Sequence, residues 1–381
     1  MIGLTAVEPE GSELTELRLR VRAFLATERE TGGYVPEADA WMSGISPEFS
    51  RKLAAQGWVG MTIPTEHGGH GRSALERYVV NEELLAGGAP VAAHWIADRQ
   101  MAPGILRNGT AEQKRRYLPG IVAAERFFGI GMSEPDAGSD LASVRTRAVR
   151  TDGGWRLTGT KLWTSSAHVA TTMVVLARTD PDAERHAGLS QFIVDLPHPD
   201  VHISPIVTID GGHHFNEVFF DDAVIDEGSL LGGLGEGWRQ VTAELGNERS
   251  GPERLLSTLP VLMVWAERLR GSDDVDTRRE LGRLTGRLAV LRQLSWAVAD
   301  RLDRGEDPAL EAALVKDLGT LFESEIIESV RRHHRVPALG TGHDPFDSLL
   351  AKAVLHSPAF TLRGGTNEVL RSIVAKGLKA R

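Results

Sequence analysis

Four short segments of this 381-residue chain carry side chains able to do chemistry together. Gly129 to Asp140 reads GIGMSEPDAGSD, and Gly159 to Ser166 reads GTKLWTSS. Between them they offer an aromatic wall in Trp163, hydroxyls in Ser133 and Ser165, and glycine-lined space at Gly138 and Ser139. An isoalloxazine ring with its pyrophosphate needs such a set: a flat apolar face, donors along a polar edge, and backbone that lets a phosphate approach. The third segment is the pair Glu248-Arg249, flanked by Glu244 and Glu253, and the fourth is GGTNE from Gly364 to Glu368. A carboxylate in a dry pocket has its pKa raised by desolvation and can remove a proton α to a thioester carbonyl. Read alone, a Glu-Arg pair on a helix is an ordinary salt-bridged surface feature, and a tryptophan between strands is ordinary core.

Other chemistries are excluded by composition. With no cysteine there is no disulfide, thiolate nucleophile, thiolate zinc site or cysteine-held iron–sulfur cluster. A formal net charge of −9 leaves no basic surplus for a nucleic-acid backbone or an anionic bilayer, so neither is an expected partner. No apolar run approaches the roughly 20 residues that span a bilayer, and Met1 to Glu16 carries acids rather than a basic, apolar leader. A cytoplasmic protein is expected. The pairs His213-His214 and His333-His334 lack the spacing of zinc ligands, so no metal is expected. The glycine-rich run Gly232 to Gly237 does not match a phosphate loop.

The elements that position these segments change character twice. Apolar residues recur at helical spacing in the first third, as in Leu14, Leu17, Val21 and Phe24. Ser46-Pro47 suits an N-cap with first-turn proline, and Thr110 with Gln113 makes a capping box. From about Phe127 to Ile225 short β-prone runs follow one another: 148–150, 155–163, 172–177, 191–194, 201–209 and 217–220. Long helical patterns return at 238–245, 254–269, 278–302 and 308–335. The predicted fold is α+β: an N-terminal helical domain (1–125), a middle antiparallel β-barrel or sandwich (126–232) and a C-terminal four-helix-type bundle (233–381). Helices, sheet, helices is not an alternating βαβ order, which disfavours a doubly wound nicotinamide domain.

In SEPDAGSD, GTKLW, the Glu248-Arg249 pair and GGTNE the sequence resembles the acyl-CoA dehydrogenases, in order and over almost the whole chain. The resemblance implies FAD, with the Met132 backbone and the Ser133 and Ser165 hydroxyls on the flavin ring, Trp163 beside it, and Ser139, Thr366 and Glu368 also reaching the cofactor. Many family members carry the catalytic glutamate immediately before Gly-Thr in the C-terminal motif; here Gly364 stands there, after Arg363 where an aromatic is common. Others place it in a Glu-Arg pair on a bundle helix, which makes Glu248 the candidate base. Gly364 retains the backbone N–H that would polarise the substrate carbonyl. Arg249 and Arg363 are the expected substrate-side residues.

The implied activity is α,β-dehydrogenation of an acyl-CoA, or of an acyl group on a carrier protein, with electrons passing to an electron-transfer flavoprotein. A flavin monooxygenase and a non-catalytic subunit of a heteromer are the alternatives on the same fold. The family's Arg-x-x-Phe-Gly segment, which contacts a neighbouring subunit's FAD, is replaced by 270–278, RGSDDVDTR. The expected oligomer, a dimer of dimers, is therefore open between like and unlike chains.

Overall fold

The computed structural model describes residues 11–249, 251–334 and 344–379; the side chains of 245–248 lie outside the described residues. Seven helices precede the sheet: α1 (Ser12–Glu30), α2 (Ala40–Ser43), α3 (Pro47–Ala55), α4 (Ala74–Ala86), α5 (Ala92–Ile96), α6 (Ala102–Asn108) and α7 (Ala111–Val122). Their starts follow the local chemistry. The Ser46 side chain accepts from the Phe49 N–H with Pro47 in the first turn, and Thr110 and Gln113 form the reciprocal capping box. Ser73 and Glu76 form a second box at α4, not singled out from sequence.

Eight strands follow: β1 (Phe128–Gly131), β2 (Arg147–Thr151), β3 (Gly154–Ser165), β4 (Thr172–Arg178), β5 (Leu189–Asp195), β6 (Val201–Val207), β7 (His213–Asp226) and β8 (Leu230–Leu231). They form one sheet in the order β6-β7-β3-β2-β4-β5-β8, with β1 paired to β4. The sheet is mixed rather than antiparallel, because β1 runs parallel to β4 and β2 meets β4 in parallel at Arg147 and Arg178. The four-residue β1 contains two glycines, and too short a run to show alternation hid it in the sequence.

The chain divides into two compact units. The sheet unit comprises residues 45–72 and 91–247. Its cores are sorted by the period-two alternation of β4. Met173, Val175 and Ala177 join Trp155, Leu157, Phe192 and Val218 in one cluster, while Val174 joins Ile105, Tyr117, Leu118 and Ile121 of α6 and α7 in another. Both faces of β4 are thus buried, which is why its sequence reads as an unbroken apolar run.

After β8 come α8 (Gly237–Arg249), α9 (Glu253–Leu256), α10 (Leu259–Arg268), α11 (Val275–Asp303), α12 (Ala309–His333), α13 (Pro345–Phe360) and α14 (Asn367–Gly377). The continuous helix predicted over 254–269 is divided between α9 and α10, the latter starting with Pro260 in its first turn, where the missing N–H costs nothing. The helical unit comprises residues 1–44, 73–90 and 248–381.

Candidate active site

In the sheet unit, Met132 and Ser133 follow β1, and their carbonyls are tied to β3: Lys161 Nζ donates to Met132 O at 3.1 Å and the Leu162 N–H to Ser133 O at 2.8 Å. Lys161 is fully buried and pairs with Glu134 at 2.8 Å. Glu134 also accepts from the backbone N–H groups of Arg145 (2.6 Å) and Thr146 (2.8 Å), so both of its oxygens are bonded. Burial alone would raise the Glu134 pKa, but the Lys161 ammonium and these donors hold it below the ordinary value. Burial brings Lys161 down to about 8 against the pull of Glu134. Glu134 of SEPDAGSD is therefore a fastener of the segment, a role not read from sequence.

Beyond that pair the register of β3 against β7 shifts between Lys161 and Thr164, and Trp163 takes φ +60°. A bulge re-aims side chains, and an αL tryptophan is held only where its surroundings impose it. The result is an indole 53% exposed, braced edge-on by Phe215 with ring centroids 5.7 Å apart. Ser165 is half-buried two residues on. The intervening Thr164 carbonyl accepts from Asn216 Nδ2 at 3.0 Å, and Asn216 is fully buried. Its Oδ1 accepts from His213 Nε2 (2.8 Å), and its Nδ2 approaches Nδ1 of His168 (3.3 Å), which fixes the tautomers of two imidazoles stacked 4.1 Å apart. Burial, then His213, lowers the His168 pKa. Ser139 is exposed, and a Cβ at Gly138 would meet only open space. An exposed, edge-braced indole, a nearby hydroxyl and unobstructed glycine backbone fit a flavin with its phosphates.

In the helical unit, the Glu248 side chain lies outside the described residues, but its neighbour Arg249 is buried and its Nε donates to the Gly364 carbonyl at 3.2 Å. One hydrogen bond thereby joins the residue next to Glu248 in the chain to Gly364. Gly364 and Gly365 form a turn with φ +69° and +87°, dihedrals that favour glycine, and a Cβ on Gly365 would stand 3.0 Å from Arg249 Nη2, a tight approach. The buried Lys316 Nζ donates to the Gly365 carbonyl at 2.6 Å. Among the described residues neither glycine's N–H has an acceptor. Thr366 caps α14, its hydroxyl accepting from the Val369 N–H, and Glu368 is exposed in the first turn.

Arg363 points to the buried Asp39, which accepts both guanidinium ends at 2.6 Å. The guanidinium also lies over Trp41 and Phe360, with centroids at 4.5 and 5.0 Å. Burial would raise the Asp39 pKa, yet Arg363 and His356 hold it well below the carboxylate range. Beside them Glu323 accepts from the Ser257 N–H at 2.7 Å through one oxygen, while its other oxygen has no partner among the described residues. Burial therefore pushes its pKa up to about 7, against the pull of Arg363. Glu244 and Glu253, the other carboxylates near Glu248 in sequence, are both buried. The paired histidines have ordinary partners: His333 meets Thr277 at 3.0 Å and His334 meets Asp347 at 2.7 Å.

Models of the acyl-CoA dehydrogenase N-terminal, middle and C-terminal domains match residues 11–125, 129–223 and 263–379 in turn. The chain belongs to the acyl-CoA dehydrogenase family. This acyl-CoA dehydrogenase is 34% identical to IpdE1 of Mycobacterium tuberculosis (strain ATCC 25618 / H37Rv) over 386 residues, covering 96% of this chain and 97% of the relative. It is 34% identical to FadE34 of the same organism over 363 residues, 92% of this chain, and spans about half of that relative's length, 49%. Among solved structures it superposes on the Tcur3481-Tcur3483 steroid ACAD with a TM-score of 0.85 at 28% identity, over 98% of this chain and 99% of the other. Family membership makes it a flavoprotein oxidoreductase acting on CH–CH bonds. Among the described residues no helix is long and apolar enough to cross a membrane.

Proposed function

We propose that this acyl-CoA dehydrogenase removes the α proton of an acyl-CoA thioester with Glu248 and introduces the α,β double bond. The observation that carries this reading is the Arg249–Gly364 hydrogen bond, which sets the end of the helix bearing Glu248 against a turn whose two amides have no acceptor among the described residues. A carboxylate base and N–H donors at the carbonyl are the two groups that enolate formation requires. Bound FAD would supply the hydride acceptor for the β carbon. Trp163, Ser165, Ser133, the Met132 backbone, Ser139, Thr366 and Glu368 are the residues proposed to hold it. Arg249 orients the turn, and Arg363, committed to Asp39, acts behind it rather than on the acyl group. An Arg363 so engaged favours an acyl group without a carboxylate.

The word steroid in the name of the structural relative favours a bulky, polycyclic acyl group over a straight chain, and its joint name favours an assembly of unlike chains. An electron-transfer flavoprotein is the proposed electron acceptor. The three-part division at 125/126 and 232/233 belongs to the same proposal.

The test is anaerobic bleaching of the flavin by a panel of straight, branched, cyclic and steroid acyl-CoAs, in wild type, Glu248→Gln and Glu253→Gln. Bleaching by one class, abolished by Glu248→Gln but retained by Glu253→Gln, is expected. Loss only in Glu253→Gln would reassign the base.

A further inference from the structure

A Gly-Gly turn has no conformation of its own, since both residues move freely through φ > 0, so whatever aims the Gly364 and Gly365 amides must act from outside the turn. In a trans peptide the N–H points away from the C=O of the same plane. The Gly364 carbonyl, bound by Arg249, shares its plane with the Gly365 N–H, so that bond aims this amide. The Gly365 carbonyl shares its plane with the Thr366 N–H, and Lys316, a fully buried ammonium on α12, binds it, which fixes Gly365 from its C-terminal side. The plane carrying the Gly364 N–H begins at Arg363, and Arg363 is pinned by the two-pronged bond to Asp39. Asp39 is itself fixed: its N–H donates to the Ser257 carbonyl at 2.7 Å, His356 meets its carboxylate at 3.2 Å, and it sits at φ +58° ahead of α2. On the far side of the turn, the Asn367 N–H closes on the Thr361 carbonyl at 3.2 Å. Two cations thus hold the Gly364 and Gly365 carbonyls, an anion holds Arg363 before them, and the two amides are left without an acceptor among the described residues.

We propose that Asp39, acting through Arg363, and Lys316, acting on the Gly365 carbonyl, are positioning residues that set the aim of the Gly364 and Gly365 amides at the substrate carbonyl. Neither touches substrate. This rests on the dehydrogenase reading above, and it explains why an arginine stands at 363: it replaces a ring beside the substrate with an anchor behind the turn.

The test uses the purified holoenzyme and its Asp39→Asn and Lys316→Met variants, with the bleaching rate measured for butyryl-, isobutyryl-, octanoyl- and cyclohexanecarbonyl-CoA. For the fastest of these, kcat is expected to fall at least tenfold in each variant while KM stays within about threefold. The carbonyl stretch of the bound enoyl-CoA product, read by difference infrared spectroscopy, is expected to move back toward its free value. A purely structural role would lower stability and leave that frequency alone. The double variant Asp39→Asn/Arg363→Gln, which keeps a neutral pair of hydrogen-bonding groups, is expected to regain part of kcat. Wild-type kcat and carbonyl frequency in both single variants would overturn the proposal while leaving the dehydrogenase reading intact. If no acyl-CoA bleaches the wild-type flavin, that reading fails instead, and crystal structures of the variants decide the positioning role: an unmoved Gly364–Gly365 turn overturns it. Lys316→Met keeps the proposal testable should Asp39→Asn fail to fold.

Discussion

Each of the two units is fastened by buried charge, but in one the carboxylate is saturated, with both oxygens bonded, and in the other it is not. In the sheet unit the Glu134–Lys161 pair spans 27 residues of sequence and meets a carbonyl and two backbone N–H groups besides. In the helical unit the Asp39–Arg363 pair spans 324 residues, and beside it one oxygen of Glu323 and Nε of Arg363 have no partner among the described residues. The saturated pair holds Glu134 ionised, because its attractions outweigh desolvation; the unsaturated cluster leaves Glu323 near neutrality, because they do not. A buried carboxylate is thus a fixed charge or a titrating one according to how many donors the fold brings to it.

The comparison breaks most severely at Lys161. Lys161→Met strands a buried Glu134 and is expected to cost about 3–5 kcal/mol, read as a lowered denaturant midpoint, with Glu134→Gln/Lys161→Met recovering most of it. A loss near zero would mean that the β3 ladder alone holds the segment.

Next comes pH. Glu323 titrates at about 7 when folded and at 4.5 as its ordinary value, so between these the folded state binds the more protons and stability falls as pH rises. The fall levels off above about 7 and amounts to about 3 kcal/mol at most. Glu323→Gln is expected to flatten it in melts from pH 4.5 to 7.5. Glu134, its pKa lowered, has the opposite sign: its contribution is complete above the ordinary carboxylate value and is lost only as the solution becomes acid. An unchanged slope in Glu323→Gln would remove the distinction between the two regions.

A smaller effect sharpens the sheet side. Asn216→Ala removes the donor to the Thr164 carbonyl and leaves His213 without its acceptor, at about 1–3 kcal/mol. It is also expected to weaken retention of FAD on dilution, because Trp163 and Ser165 flank that carbonyl. The smallest effect is the control: Arg331→Ala breaks a surface bond to Glu328, both about half-exposed, and is expected to change stability by less than about 0.5 kcal/mol.

What could be read from the chain alone was whatever has a local signature. Short β-prone runs marked most of β3, β4 and β5 and the middle of β7, and Ser46-Pro47 and Thr110 with Gln113 marked helix starts, because caps, pleats and turns are decided by neighbours within a few residues. The motif segments were legible for the same reason. The short, parallel β1 and the helix α13 gave no comparable signal. Nor did any spacing announce that Lys161 would meet Glu134, that Asn216 would carry Thr164, or that Asp39 and Lys316 would grip the turn beside Gly364. In sequence these are ordinary polar residues, and only tertiary structure decides which of them lose water and which partner replaces it. That exchange turned Arg363, expected beside the substrate, into an anchor for the turn it precedes, since a guanidinium taken out of water stays where a carboxylate can answer both its ends.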